Sequence, residues 1–292
     1  TANGLKSIDF LDTSNGYAVG DSGTILRTVD GGTTWTTLTS GTANNLTGAI
    51  FVSWDKGWVV GQTGIFQTLN GNSTCISGDS DWRCENMDST GNVGKAIRVA
   101  VTSAGVPAFA YIDSTNNTMK YAVRDGGIGM GCADADWSCE TIRAATAGDG
   151  DPSIGFAFDQ NNLPAISFND GITFYYAYRT AGSGCTDADW TCEIPLKRVM
   201  DSSLIFSGTT PYIAYEENSM LRLAVRVSGK WRHEILDQCT IGCNDTQPLG
   251  EYASIAKTGN TLGIAHKETT NSDTQYLQAD ISTLPALQAF TL

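Results

Sequence analysis

Histidine is almost absent from this chain, with only His233 and His266 in 292 residues. Neither stands beside a Ser or Cys in a nucleophile-elbow word, so acyl-transfer chemistry has no support, and a histidine-based metal centre has little to build on. Positive charge is scarce too: 18 Lys and Arg face 31 Asp and Glu, a formal net charge of −13. Such a surface repels phosphate backbones and anionic headgroups, which argues against a nucleic-acid partner and against a membrane-surface role. No apolar run reaches 18 residues, so membrane insertion is not expected. Runs of Ala, Leu, Glu and Lys at helical spacing are also missing. No charged, apolar, small-residue leader opens the sequence, and Thr1 is expected to be a mature terminus.

What remains is a β-forming composition. Gly (32 residues), Thr, Ser and Asn abound, the mix of short strands joined by tight turns, and 41% apolar residues suffice for a core. Eight cysteines fall in four close pairs: Cys75 and Cys84, Cys132 and Cys139, Cys185 and Cys192, Cys239 and Cys243. Two pairs sit in nearly identical words, Cys132-Ala-Asp-Ala-Asp-Trp-Ser-Cys139-Glu140 and Cys185-Thr-Asp-Ala-Asp-Trp-Thr-Cys192-Glu193, and Cys75 to Cys84 is a looser copy around Trp82. Neither histidine joins a pair at zinc-ligand spacing. Even number, local pairing and repetition favour disulfides over zinc or free thiols. The chain is therefore expected outside the cytosol, extracellular or at the cell surface.

Self-similarity decides the fold class. Apolar runs ending in a polar residue recur at Ile25-Leu26-Arg27, Ile65-Phe66-Gln67, Ala122-Val123-Arg124, Ala177-Tyr178-Arg179, Ala224-Val225-Arg226 and Tyr276-Leu277-Gln278. They are separated by 40, 57, 55, 47 and 52 residues. Trp35, Trp82, Trp137, Trp190 and Trp231 follow the first five, each marking a further strand. In the third, fourth and fifth units, Pro107, Pro164 and Pro211 open the second strand, where a missing N–H is tolerated. A four-stranded unit of about 50 residues cannot bury both its faces alone, and stacking such units around a centre hides them. The expectation is one all-β domain over 1–292, a six-bladed β-propeller with four antiparallel strands per blade. Its approximate blades are 4–44, 45–92, 93–151, 152–201, 202–250 and 251–292.

The first unit carries the word Thr28-Val-Asp30-Gly-Gly32-Thr-Thr-Trp35, and the second repeats it in worn form with Asn70 in place of the aspartate. These residues resemble the Asp-box (BNR-like) repeats of sialidases and of photosystem II stability/assembly-factor propellers. The resemblance implies a propeller in which Thr28, Asp30, Gly32 and Trp35 form a structural turn at a blade's edge, and it implies no activity.

Candidate sites were weighed against that repeat. A sialidase needs an arginine triad, but Arg27, Arg124, Arg179 and Arg226 recur in register and so read as scaffold; the Phe/Tyr-Arg-Ile-Pro word of sialidases is absent. Acidic residues gather where second strands end, at Asp21, Asp113, Asp170, Glu216, Glu217 and Glu268. A glycosidase needs two such carboxylates at a set separation, while turn initiation needs only one. Turn chemistry is preferred there. No cofactor is expected; calcium at Asp134, Asp136, Asp187 and Asp189 is the lesser alternative to turns, since these words lack the six or more ligand positions of a calcium loop. His233 reads as a surface residue. Asn45, Asn72, Asn116 and Asn244 stand in glycosylation words that the composition makes unremarkable.

By elimination the sequence points to a non-enzymatic structural or interaction propeller. Its partner is expected to be copies of itself or another surface protein. A glycan is the alternative, with Trp54, Trp58, Tyr175 and Tyr176 as stacking platforms, and a glycoside hydrolase is the weaker one. The uncharged terminal segment, with Leu284, Leu287, Phe290 and Leu292, is either the outermost strand of the sixth blade or a segment for assembly.

Overall fold

The computed structural model describes residues 3–40, 42–53, 56–61, 64–68, 82–85, 87–88, 93–126, 131–132, 134–145, 154–170, 172–196, 199, 201–217, 220–238, 251–268 and 273–282. These residues form sheets whose strands follow one another in chain order, the pattern of a meander. The first holds β1 (Leu5–Phe10), β2 (Gly16–Gly20), β3 (Thr24–Thr28) and β4 (Thr36–Leu38); the second holds β5 (Leu46–Ser53), β6 (Lys56–Gly61), β7 (Gly64–Thr68) and β8 (Trp82–Glu85). The third holds β9 (Val93–Val101), β10 (Pro107–Asp113), β11 (Thr118–Arg124) and β12 (Trp137–Ala144). The fourth holds β13 (Ile154–Phe158), β14 (Pro164–Asn169), β15 (Phe174–Arg179) and β16 (Trp190–Leu196). The fifth holds β17 (Ser202–Ser207), β18 (Thr210–Glu217), β19 (Met220–Val227) and β20 (Lys230–Gln238). The sixth has three strands among the described residues, β21 (Glu251–Thr258), β22 (Thr261–Glu268) and β23 (Asp273–Asp280). A four-stranded sixth blade is thus not seen, and the terminal segment with Leu284, Leu287, Phe290 and Leu292 lies outside the described residues.

Strand limits follow turn chemistry closely. Pro107 and Pro164 open β10 and β14 as expected, while Pro211 is the second residue of β18. The third strand of the fourth sheet starts at Phe174, although the apolar Ile172 extends the run toward Asp170. Asp170 Oδ1 accepts the N–H groups of Ile172 (3.0 Å) and Thr173 (2.7 Å), which holds those residues in the turn and leaves Ile172 80% exposed.

The chain divides into two compact units, Thr1–Thr141 and Ile142–Leu292. In the first unit, the opening strands of successive sheets lie side by side, β1 against β5 and β5 against β9. Polar ties join them: Ser7 Oγ accepts the Ala49 N–H (3.2 Å) and Asp9 Oδ2 accepts that of Phe51 (2.6 Å). Between the first two sheets Tyr17 and Phe51 stack at 3.7 Å on Val19, Ile25, Leu46 and Val59. Between the second and third, Trp58, Ile97, Phe109, Tyr111 and Trp137 share one cluster. The second unit repeats the scheme with β13, β17 and β21, where Ser203 Oγ accepts the Ile255 N–H (3.3 Å). Tyr176, Leu204, Ile213 and Tyr215 fill the space between the fourth and fifth sheets, and Leu221, Leu223, Ile255, Leu262 and Ile264 that between the fifth and sixth. A sheet covered on both faces shows no alternation of burial along its middle strands: every residue of β10 is buried.

Candidate functional site

The Asp-box word folds into a tight knot of bonds between β3 and β4. Thr28 is buried, and its Oγ1 donates to Asp30 Oδ1 (2.8 Å) while accepting the Gly32 N–H (2.9 Å). Asp30 then accepts the N–H and hydroxyl of Thr34 (2.8 and 2.6 Å), and these bonds, led by the Thr34 hydroxyl, hold its carboxyl below the usual range. Gly31 and Gly32 have φ of 70° and 90°, which a side chain at either position would resist. Trp35 Nε1 donates to Gly32 O (3.0 Å), and its ring meets Phe10 edge-on at 6.2 Å. Every polar group of the word serves the turn.

The paired cysteines shape the loops between third and fourth strands. Disulfides join Cys132 to Cys139 and Cys185 to Cys192. Gly131 and Gly184, with φ of 80° and 88°, precede them; a Cβ there would lie 2.6 and 2.4 Å from the carbonyl oxygens of Cys139 and Cys192. Each stapled loop reaches back, the first to the linker before its own sheet and the second to β12. The Asp134 N–H donates to Met87 O (3.4 Å), and the Thr186 N–H donates to Ile142 O (2.8 Å). The aspartates inside the loops form their turns: Asp134 Oδ1 accepts the Asp136 N–H and Asp187 Oδ1 the Asp189 N–H, both at 2.9 Å. Cys75, Cys239 and Cys243 lie outside the described residues, as does the side chain of Cys84.

The densest polar cluster centres on Glu193 of β16. Arg226 of β19 donates to it twice, Nε to Oε2 (2.8 Å) and Nη2 to Oε1 (2.6 Å), in the fork geometry that makes such pairs strong. Trp231 Nε1 adds a bond to Oε2 (2.9 Å), and the Tyr178 hydroxyl one to Oε1 (3.2 Å). The guanidinium also lies over the Tyr178 ring at 5.1 Å, and Tyr176 meets Trp231 edge-on at 5.0 Å. Burial alone would raise the Glu193 carboxyl, but the bonds from Arg226, Trp231 and Tyr178 outweigh it and set it below the usual value. Burial is also the main cause that pushes the Tyr176 hydroxyl up. This clasp ties the fourth sheet to the fifth.

A pH dependence follows. A carboxyl lowered by folding stabilises fully above its ordinary value of 4.5 and loses that contribution as pH falls through the lowered one. Asp9 runs the other way: burial raises it against the bonds from Phe51 and Phe10, so its contribution is complete below 3.8 and fades as pH rises through the folded value. Melting curves between about pH 5 and pH 3 should therefore show the second unit losing stability, and Glu193→Gln should flatten that slope for the second unit alone. An unchanged slope would count against the clasp.

A smaller cluster pins the linker between the second and third sheets. The Tyr111 hydroxyl donates to Asp88 Oδ2 (2.9 Å), and Lys120 pairs with the same carboxylate. Burial, then the Asp88 charge, pushes the Tyr111 hydroxyl up.

Some of the other sequence candidates are engaged in the same kind of bonding. Asp113 caps the β10–β11 turn, accepting from the Thr115 N–H (2.9 Å) and from the Asn116 backbone (3.1 Å) and side chain (2.8 Å). Arg124 pairs with Asp136 at 3.4 Å and lies over Trp137. Three of the proposed stacking rings are not on the surface: Trp58, Tyr175 and Tyr176 are all buried, Tyr175 beneath Arg143, whose guanidinium lies 4.3 Å from the ring centre. Trp54 lies outside the described residues. His233 is half-buried rather than a surface residue, its Nδ1 hydrogen-bonded to the Tyr215 hydroxyl (3.1 Å); burial, then the Arg222 charge, lowers its pKa. The Glu193 clasp was missed in the sequence, although the repeated Cys-Glu in Cys84-Glu85, Cys139-Glu140 and Cys192-Glu193 was a signal for it.

Comparison with known proteins places these features in a family of folds. The family model for the photosynthesis system II assembly factor YCF48 matches residues 1–74, the part that holds the Asp box. No curated protein matches the sequence. Among solved structures, YCF48 from Cyanidioschyzon merolae is similar at 16% identity, covering 98% of this chain and 88% of its own, with a TM-score of 0.55. YCF48 bound to D1 peptide is similar at 14% identity, covering 99% and 85%, with a TM-score of 0.53. The Aleuria aurantia lectin in complex with alpha-methyl-L-fucoside is similar at 11% identity, covering 97% and 98%, with a TM-score of 0.51. The chain is an all-β propeller of antiparallel four-stranded blades, and its first blades resemble those of the assembly factor.

Proposed function

We propose that this chain is a non-enzymatic interaction module, exported to the cell surface or beyond. There it would bind protein, above all copies of itself, and build a filament or tube. One observation carries the non-enzymatic half of this reading. Several carboxylates and a guanidinium group that a hydrolase would aim at a substrate are engaged in structure, Glu193 with Arg226, Asp113 and Asp170 in turns, and Asp30 in its box. Reactive geometry requires groups free to meet a substrate, and structural bonds withdraw them.

What such a module offers is surface. The stapled loops are stiffened, and stiff loops lose less entropy on association. Two disulfides are compatible with an oxidising compartment. A propeller of similar fold holds a D1 peptide, which supports protein as the partner class. The lectin of similar fold binds a fucoside, but three of the four rings that would make a glycan platform here are buried, which favours protein over a glycan.

Sedimentation velocity over a rising concentration series, with electron microscopy of the same samples, tests the proposal. Growth into long particles is expected. A single monomer boundary at every concentration would overturn it.

A further inference from the structure

Of the ion pairs between described residues, the most buried joins Lys120 of β11 to Asp88, which lies between β8 and β9. Their side chains are only 12% and 2% exposed. The pairs made by arginine are wetter: Arg222 and Glu217 are 18% and 25% exposed, and Arg226 and Glu193 are both 25% exposed. Two charges held so far from water are unfavourable, because their attraction often fails to offset the lost hydration of both ions.

Lysine at this place departs from the repeat. Lys120 faces Tyr111 across the β10–β11 ladder, and Arg222 faces Tyr215 in the same way in the fifth sheet. Arg222 pairs with Glu217 of the neighbouring strand, whereas Lys120 turns to a carboxylate from outside its own sheet. A guanidinium keeps its charge and is no nucleophile, but an amine that has given up a proton is one.

The surroundings suit a reaction between the two groups. Lys120 Nζ lies over the Tyr111 ring, 5.6 Å from its centre, and that ring belongs to a buried cluster with Met87, Phe109 and Trp137. The Tyr111 hydroxyl donates to Asp88 Oδ2 (2.9 Å), the same oxygen that Lys120 contacts. Burial, then the Asp88 charge, pushes this hydroxyl up, so it keeps its proton and remains a donor.

We propose that Lys120 and Asp88 condense into an intramolecular amide. A proton passed along the pair leaves an amine beside a carboxylic acid. Nζ attacks Cγ, and the charge that develops on oxygen is held by the Tyr111 O–H. The C–N bond forms, one C–O bond breaks, and that oxygen leaves as water, carrying one proton from the acid and one from nitrogen. No oxidant, reductant or energy donor enters. Contact between the groups supplies the proximity that separate molecules lack. The product is favoured because a neutral amide replaces two buried charges. It closes residues 88–120 into a loop and fastens the linker before the third sheet to β11 by a bond that reductants do not open.

The test is the intact mass of the full chain after reduction, alkylation and unfolding, followed by a tryptic map. The expected wild-type mass is one water below that of the sequence. Trypsin should fail to cut after Lys120, so that residues 84–95 and 99–124 appear joined as one branched peptide. Lys120→Arg keeps a cation beside Asp88 but has no amine, and should show the full mass. A wild type of full mass, cut after Lys120, would mean an ordinary ion pair and overturns the inference. So does a missing water that maps elsewhere, as in a cyclised aspartate. The wild-type measurement decides even if the variant does not fold.

Discussion

Replacing Cys132, Cys139, Cys185 and Cys192 together by Ser is expected to remove about 5 kcal/mol of stability, shared between the two units. Each bridge closes a loop with a sequence separation of 7, and in the chain-entropy account a loop that short contributes about 2–3 kcal/mol. One bridge lies in each unit, so the two effects should add. Denaturant titration of the two single-bridge variants and of the combined variant reads this directly. The native structure should also loosen at a defined place. The amides of Asp134 and Thr186, bonded across to Met87 and Ile142, should exchange faster once their loops are unstapled. Unchanged midpoints in all three variants would mean that docking of the loops, not their closure, carries their order.

Trp190→Ala is expected to cost about 3–5 kcal/mol, the range for emptying a large buried ring site. Its side chain has no exposed surface, and it opens β16 just three residues before Glu193. By calorimetry the transition of the second unit should fall by roughly 10 °C, since about 2–4 °C accompany each kcal/mol in a unit of this size. Trp137→Ala should do the same to the first unit. A fall of less than about 2 °C would mean the site collapses without a cavity, contrary to the packing seen.

The repeat made much of this fold legible. Tryptophan and proline marks placed β10, β12, β14 and β16 to within a residue or so, because a ring at a strand start and a missing N–H at a strand edge are local requirements. Burial was not legible in the same way. Tyr175 and Tyr176 were candidates for exposed stacking platforms, yet the first four residues of β15 are all buried. The Glu193 clasp was hidden for a related reason. Its partners lie 33 and 38 residues away in another sheet, and pairing between stacked sheets depends on their relative rotation, which no local pattern records. Of the periodic arginines read as scaffold, Arg226 pairs with Glu193, a carboxylate that the sequence did not single out.

The direction of these cross-sheet ties bears on how the chain comes to fold. The ties run both ways, since Ser22 and Gln160 donate forward to Asn45 and Gly208, but in several of them the later residue donates to an earlier part of the chain. Thr186 finds Ile142, Asp134 finds Met87, Arg226 and Trp231 find Glu193, and the Ile255 amide finds Ser203. A chain made from its amino end presents each of these later donors with an acceptor that already exists. No blade has to wait for residues still unsynthesised before its backward contacts can form. Growth of order from one end keeps the exposed apolar area to a single unfinished face at a time, which limits the aggregation that troubles slow-folding β proteins.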